Sequence, residues 1–373
     1  MDLTKPSRIA VVTSHYPPST GGLERHVSAL AEAMAHRGIT VDVIVPGASS
    51  VTPGLGEHSG ITIRRFPMIA GASRYSLSPA LWRYLRRAAR TYDLIHAHNF
   101  HALPALAAAL AGGRALVVTP LYHGAAHSLL GEILNAPYRR AGRVIFGRAD
   151  AVICVSNAEA SLVATHFPVS AAKIKVIYSG LDVGALRDAQ PLDTSGRLVI
   201  TAGRLERYKR VDLILDAVRF LPPEWRLCVI GDGRDRRRLE RRAERSGLLG
   251  RVSFMNPVGD GVFCSWLKTA EVYVSMSAHE SFGLAVAEAI VAGAGLVASD
   301  IQPHREVVRL LGAKRFVLLP GDSAPISLAQ AILRTGRQPE ERADAERLSW
   351  GRVAEETLEV YETVVCRTGH SRC

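Results

Sequence analysis

The sequence is poor in lysine and in cysteine. Of its 46 basic residues 40 are arginine, and its five cysteines, Cys154, Cys228, Cys264, Cys366 and Cys373, are scattered with no C-x-x-C spacing. An odd, dispersed set of thiols excludes a disulfide framework and a cysteine-rich metal cluster, and reads as core or tail cysteines. No run of 18 or more apolar residues exists, so no membrane-spanning helix is expected. The opening MDLTKPSR leads straight into a strand pattern instead of a signal peptide, which points to a cytoplasmic chain. D-x-D is missing altogether, and so is a complete G-x-G-x-x-G. Gly231-Asp232-Gly233 follows a strand, but the next motif position is Arg236, which disfavours a nicotinamide dehydrogenase and leaves a structural turn.

What is there is long and apolar enough for two cores: 373 residues, 47% hydrophobic and 22% charged. The net charge of +11 favours polyanionic partners, among them nucleotide sugars, anionic lipid surfaces and nucleic acid. The densest cluster, Arg234 to Arg245, interleaves Glu240 and Glu244 and carries no aromatic residue, so it reads as a solvated helix face and no nucleic-acid partner is expected. Strand and helix patterns alternate throughout. IAVVTS, a glycine loop with Gly21-Gly22, an amphipathic stretch to Arg37 and TVDVIVP make a βαβ unit, and ITIRRF, DLIHAH, LVVTP and AVICVS extend it. After a Pro-containing linker from Asp188 to Gly196, RLVITAGRL, RLCVIGDG, RVSFMNP, VYVSM, GLVAS and FVLLP repeat the theme. The fold class is therefore α/β with two Rossmann-like, doubly wound domains.

The stretch SAHESFGLAVAEAIVAGAGLVAS, Ser277 to Ser299, concentrates the chemistry. Glu288 is the one charged residue between Ser281 and Ser299, and burying a lone carboxylate costs several kcal/mol unless it is paired. Seven residues separate it from Glu280, and Ser281-Phe282-Gly283-Leu284 between them is suited to the opening turn of a helix, whose free N–H groups bind phosphate. Taken alone, this spacing reads first as a helix that turns Glu288 to solvent. Arg204 and Lys209 follow another strand and precede a helix, where cations oppose the helix dipole and are unfavourable without an anion.

Glu280 and Glu288 resemble the E-x₇-E motif of the retaining family 4 glycosyltransferases of GT-B fold, and KIKVIYSGLD resembles that family's I-P-N-G-V-D with Ser179 in place of the asparagine. The resemblance spans essentially the whole chain. It implies a GT-B arrangement in which two Rossmann-like domains face a central cleft: an acceptor-side domain over 1–187, joined by a C-terminal helix over 349–366 that crosses back, and a donor domain over 196–348. It implies that Glu288 holds the ribose, that Glu280 and His123 lie near the donor sugar, and that the amides of Ser281, Phe282, Gly283 and Leu284 hold the diphosphate. Arg204 and Lys209 would neutralise the leaving group. Gly21 and Gly22 would face the donor phosphates and the acceptor, and Gly231 and Val258 would lie against the nucleotide.

His96, His98 and His101 beside one strand end, with His123 and His127 after another, permit either a metal site or polar partners for sugar hydroxyls; His98 is assigned to substrate and no metal or cofactor is expected. The helix around Trp82 carries Arg83, Arg86, Arg87 and Arg90 and reads either as a basic face on an anionic membrane or as a surface helix with its tryptophan in the core. The implied activity is transfer of a sugar from a nucleoside-diphosphate sugar to a sugar, lipid-linked or small-molecule acceptor, in the cytoplasm or at the inner face of the membrane. A sugar-nucleotide epimerase and a non-catalytic sugar-nucleotide-binding protein are the competing readings.

Overall fold

The structure is a computed structural model and describes residues 5–19, 21–48, 50–53, 60–69, 76–124, 140–194, 196–337 and 344–369. The chain divides into two compact units, Met1–Gly180 with Trp350–Cys373, and Leu181–Ser349.

In the first unit, strands β1 (Arg8–Val12), β2 (Thr40–Pro46), β3 (Ser50–Pro53), β4 (Ile61–Phe66), β5 (Leu94–His98), β6 (Leu116–Thr119), β7 (Ala151–Cys154) and β8 (Ile174–Val176) form one sheet. Its order is β3-β4-β2-β1-β5-β6-β7-β8. Every pairing is parallel except β3 with β4. That short antiparallel strand was not expected from the sequence: four residues containing Ser, Thr and Pro carry no readable periodicity, and Pro is tolerated because the strand is an edge.

Helices α1 (Gly22–His36), α2 (Pro79–Ala88), α3 (Leu103–Leu110) and α4 (Asn157–His166) cover the sheet. A parallel sheet buried on both faces needs apolar residues at every position, and β1 shows why. Ile9 and Val11 join the core beneath α1, whereas Ala10 and Val12 join the core beneath α2 and α3. Ser78 caps α2 by accepting the Leu81 N–H at 3.2 Å, and Pro79 occupies the first turn. Leu81 and Leu85 of α2 are wholly buried and Trp82 packs against the same core, so the tryptophan is not a surface anchor; Arg83, Arg86, Arg87 and Arg90 are exposed.

In the second unit, β9 (Arg197–Ala202), β10 (Trp225–Ile230), β11 (Val252–Met255), β12 (Val272–Ser275), β13 (Gly295–Ser299) and β14 (Phe316–Leu319) form a parallel sheet of order β11-β10-β9-β12-β13-β14. Around it lie α5 (Val183–Asp188), α6 (Val211–Val218), α7 (Arg236–Arg245), α8 (Asp260–Thr269), α9 (Leu284–Val291), α10 (Gln302–Leu310) and α11 (Pro325–Arg334). The arginine-rich α7 is paired with its neighbours: Arg242 with Asp216 at 2.6 Å, and Arg238 with Asp212 at 3.4 Å and Asp235 at 2.8 Å.

The segment Asp188–Gly196 is not a free linker. The second unit already begins at Leu181, the Asp182 carboxylate caps α5 through the Ala185 N–H at 2.9 Å, and the Leu192 N–H donates to Thr269 Oγ1 at 2.7 Å. The stretch carries Pro191 and no period, and the bond that ties it down reaches a residue 77 positions away, which is why the sequence reads as linker there. The last helix, α12 (Trp350–Arg367), belongs to the first unit and packs on α1, burying Val353, Ala354, Thr357, Val360, Tyr361, Val364 and Val365. Gly180 lies against the Trp350 ring so closely that a Cβ would come within 2.4 Å of it. Each unit has one switch point, where chain order reverses and the loops after adjacent strands part: β1/β5 in the first unit and β9/β12 in the second. In open α/β sheets that crevice is where ligands bind.

Candidate active site

In the second unit the loop after β9 runs from Gly203 through Arg204 and a single 3-10 turn, Arg207–Lys209, to Arg210, which caps α6 with left-handed backbone (φ 50°). Glycine is required behind it. A Cβ on Gly231 would come within 2.0 Å of the Gly203 carbonyl oxygen, so Gly231-Asp232-Gly233 serves close packing of two loops. The loop after β12 runs from Met276 to Gly283, which precedes α9 in left-handed backbone (φ 100°) and is glycine for that reason.

These two loops are locked together. The Ala278 N–H donates to the Tyr208 carbonyl at 2.8 Å, the Tyr208 and His279 rings stack at 4.5 Å and 14°, and Lys209 Nζ meets Glu280 Oε1 at 2.5 Å. Each side chain of that ion pair is about one-fifth exposed, 19% for Lys209 and 18% for Glu280. Burial alone would push the Glu280 carboxyl up, but the Lys209 ammonium outweighs it, so Glu280 titrates below the usual carboxylate range. Burial likewise opposes the Lys209 charge, and Glu280 reverses that, holding the ammonium above its ordinary value. The expectation that Lys209 is unfavourable without an anion is thus corrected: Glu280 already supplies the negative charge, through a contact 71 residues apart in sequence.

Arg204 is exposed, close enough to Lys209 to disfavour its charge, and makes no ion pair among the described residues. A recess at the β9/β12 switch is lined by Thr201, Gly203, Arg204, Lys209, Ser275 and Ser277. In the loop that carries Glu280, Phe282 is buried and Gly283 leads into α9; the Gly283 carbonyl accepts the Val286 and Ala287 N–H groups at 3.0 and 3.1 Å, so the helix's open donors are those ahead of them, at Leu284 and Ala285. Ser281 belongs to the same turn, and Glu288 lies in the second turn of α9 with 7% exposure. Two cations, Arg204 without an ion pair among the described residues and Lys209 paired to Glu280, therefore line one recess, and the Lys209–Glu280 contact ties it to the loop that leads into α9, an arrangement suited to a polyanion. Val258 is half-buried just ahead of α8, and the nearby ends of β10 and β11 are tied by a residue whose role the sequence does not reveal: the Arg236 guanidinium donates to the carbonyls of Gly231 (3.0 Å) and Met255 (3.3 Å) and to Asn256 Oδ1 (2.9 Å).

In the first unit the loops after β1, β5 and β6 meet. Asn99 adopts left-handed backbone (φ 66°), donates to Ser14 Oγ at 2.9 Å and accepts the His101 N–H at 3.2 Å. His101 then stacks on His123 at 5.4 Å and 28°. His123 is half-buried, and the loop bearing it is held by Glu159, a carboxylate invisible as a site residue in the sequence. Glu159 Oε1 accepts the Tyr122 N–H and Oε2 accepts the Val155 N–H at 2.6 Å. Burial pushes the Glu159 carboxyl up to about 8. Gly21 precedes α1 in extended backbone, and a Cβ there would meet only the movable end of the Glu24 side chain, at 2.5 Å; Gly22 is the first residue of the helix.

His98 does not reach this surface. It is wholly buried, 4.0 Å from the His96 ring and 5.6 Å from His26, with no hydrogen-bond partner for either nitrogen among the described residues. Both nitrogens of His96 are engaged, by Tyr361 at 2.7 Å and Thr119 at 2.8 Å, and among the described residues no three His, Cys, Asp or Glu side chains are grouped to hold a metal. His127 lies outside the described residues.

Comparison with known proteins matches both halves of the chain in order. The profile of Glycosyltransferase Family 4 matches residues 20–184 and that of Glycosyl transferases group 1 matches residues 182–347. The phosphatidyl-myo-inositol mannosyltransferase of Mycolicibacterium smegmatis is 28% identical over 96% of this chain and 94% of its own. Among solved structures, sucrose-phosphate synthase from Thermosynechococcus elongatus superposes with a TM-score of 0.71 at 22% identity, covering 97% of each chain. Anabaena HepE in complex with UDP and glucose superposes with a TM-score of 0.69 at 21% identity, also covering 97% of each. Two successive profiles, relatives aligned nearly end to end and the shared two-domain α/β architecture agree: the chain belongs to glycosyltransferase family 4 and is a sugar-transferring enzyme of GT-B fold.

Proposed function

We propose that this enzyme transfers a sugar from a nucleoside-diphosphate sugar with retention of anomeric configuration, without a metal ion, to a carbohydrate or lipid-linked acceptor. The observation that carries the reading is the β9/β12 crevice, lined by Arg204 and Lys209, with Lys209 tied through Glu280 to the loop that opens α9. Breaking a glycosidic bond to a diphosphate leaves negative charge on the departing oxygen, and fixed cations and amides aimed at that charge lower the barrier without reorganising. Lys209 and Arg204 take that role in the proposal, and Glu288 binds the ribose. Glu280 positions the sugar, and the departing phosphate accepts the acceptor's proton, so no separate protein base is needed. The relative solved with UDP and glucose supports a nucleotide-sugar donor, and the phosphatidyl-inositol mannosyltransferase supports a lipid-linked acceptor.

The test is incubation with a panel of UDP- and GDP-sugars, with and without EDTA. Release of nucleoside diphosphate in EDTA is expected, with the new glycoside showing the donor's anomeric configuration by NMR. Dependence on added magnesium or manganese, or an inverted product, would refute the respective part. Interconversion of the sugar nucleotide with no release would favour the epimerase reading.

A further inference from the structure

Arg210 follows the single turn that ends at Lys209 and caps α6 with left-handed backbone (φ 50°, ψ 40°). That conformation presses a Cβ toward the following carbonyl, so glycine takes it up routinely and a long side chain seldom does. Among the described residues the other left-handed non-glycine positions, Ser76, Asn99 and Leu121, all lie in the first unit. The strained position of the second unit is thus the one directly after a cation of the recess. Such strain persists only where the surroundings over-determine it.

Two sets of contacts hold it. Along the main chain, the Arg210 N–H donates to the Arg207 carbonyl at 3.1 Å and the Arg210 carbonyl accepts the Leu213 N–H at 3.1 Å, so this residue closes the turn on one side and opens α6 on the other. Its side chain reaches much further: Nη1 donates to the carbonyl of Gly321 at 2.8 Å, 111 residues along the chain, in the loop that follows the edge strand β14. Gly321 is not in the left-handed region, so no turn demands a glycine there. A Cβ at 321 would instead come within 2.2 Å of Arg210 Nη1, and the missing side chain makes room for the guanidinium. A return of Arg210 φ to the ordinary negative range would swing the turn relative to α6, and would carry Lys209 away from its place on the recess and from Glu280.

We propose that Arg210 is a positioning residue: by gripping the Gly321 carbonyl it holds the left-handed junction that aims Lys209 into the recess. The loop after β14 thereby governs the rate of sugar transfer without touching substrate. This rests on the reading of Lys209 as the stabiliser of the leaving diphosphate, and adds to it a tether between two distant loops.

Turnover of the full chain is measured as nucleoside diphosphate released from the UDP- and GDP-sugars of the donor panel, with thermal melts alongside. Arg210→Gly removes the grip and relieves the backbone of its Cβ, whereas Gly321→Ala keeps the arginine and displaces its guanidinium. Each should lower kcat on the order of 10-fold with the donor KM changed by no more than about twofold, because Lys209 acts on charge that develops only as the bond breaks. Melting temperatures should stay close to that of the wild type. The two losses should not multiply in the double variant, since both sever one contact, and Arg210→Gly should cost nothing further in a Lys209→Ala background. Normal kcat in Arg210→Gly, a raised KM alone, losses that multiply in either pair, or a fall in melting temperature large enough to explain the lost turnover would each overturn the inference. Slow turnover in Lys209→Ala beside normal turnover in Arg210→Gly leaves the diphosphate site standing without the tether. Normal turnover in Lys209→Ala, or no turnover of any sugar in the panel by the wild type, overturns the diphosphate reading and the inference with it.

Discussion

Glu288, Arg204 and Lys209 act on different quantities in the proposed reaction, and their substitutions separate them. A ribose contact is equally strong before and during bond breaking, so Glu288→Gln should raise the donor KM by a loss of roughly 1.5–3 kcal/mol and leave kcat largely intact. Charge on the leaving diphosphate grows only as the bond breaks, so Lys209→Ala and Arg204→Ala should lower kcat by about 10²-fold or more. Lys209→Ala carries a further cost, because it strands the Glu280 carboxylate that Lys209 now holds at 2.5 Å. Arg204 is exposed and should leave the melting temperature unchanged. Steady-state kinetics with thermal melts distinguishes the three; normal turnover in both cation variants would place the diphosphate elsewhere. Gly21 gives an independent check. Its backbone is extended and a Cβ would displace only the end of Glu24, so Gly21→Ala should fold normally and still lose activity if substrate approaches that backbone. Full activity would mean that no ligand comes so close.

At the scale of elements, the E-x₇-E helix, the β9 loop with its cations and the glycine turn at Gly231 were all legible, because each is a local pattern at the end of an apolar strand. The groups that hold those elements in place were not. Glu159 reads as an ordinary first-turn residue of α4, yet it receives the N–H groups of Tyr122 and Val155 and so ties the His123 loop to the end of β7. Its carboxyl is pushed up to about 8 by burial, above its ordinary value of 4.5. A raised acid favours the folded state fully below its unfolded value and loses that contribution as pH climbs through the folded one. The unfolding free energy of Glu159→Gln relative to wild type should therefore improve between pH 4.5 and 8, with a limiting slope of about 1.4 kcal/mol per pH unit. Chemical denaturation at several pH values measures it; a pH-independent difference would show that the carboxyl titrates normally.

For the whole molecule, charge is the property that composition alone dictates. The net +11 and the exposed Arg83, Arg86, Arg87 and Arg90 of α2 offer a cationic surface, and no helix among the described residues is long and apolar enough to cross a membrane. With Trp82 packed into the core, any attraction to lipid through this helix would be electrostatic. Sedimentation with anionic vesicles should show binding at low salt that falls away over the range where the screening length shrinks from about 30 to about 8 Å. Vesicle binding that ignores salt, or none at low salt, would remove α2 as a membrane contact and favour an acceptor free in solution.

The alternation of strand and helix, the presence of two doubly wound units and the identity of the charged loop residues were determined by the sequence itself, because periodicity, glycine turns and strand-end motifs are encoded within a dozen residues. Partnership was decided only in three dimensions. Lys209 and Glu280 are brought together because β9 and β12, far apart in the chain, are neighbours in the sheet. The same adjacency places His101 on His123, whose strands β5 and β6 lie side by side. Burial is likewise a tertiary outcome: His98 stands in the sequence as a polar strand-end residue, but β5 and the packing of α12 on α1 enclose it among His26, His96 and Trp350, where no ligand reaches it directly. A charge or a ring is written in the chain, whereas what neutralises it depends on which loops the sheet order sets next to each other.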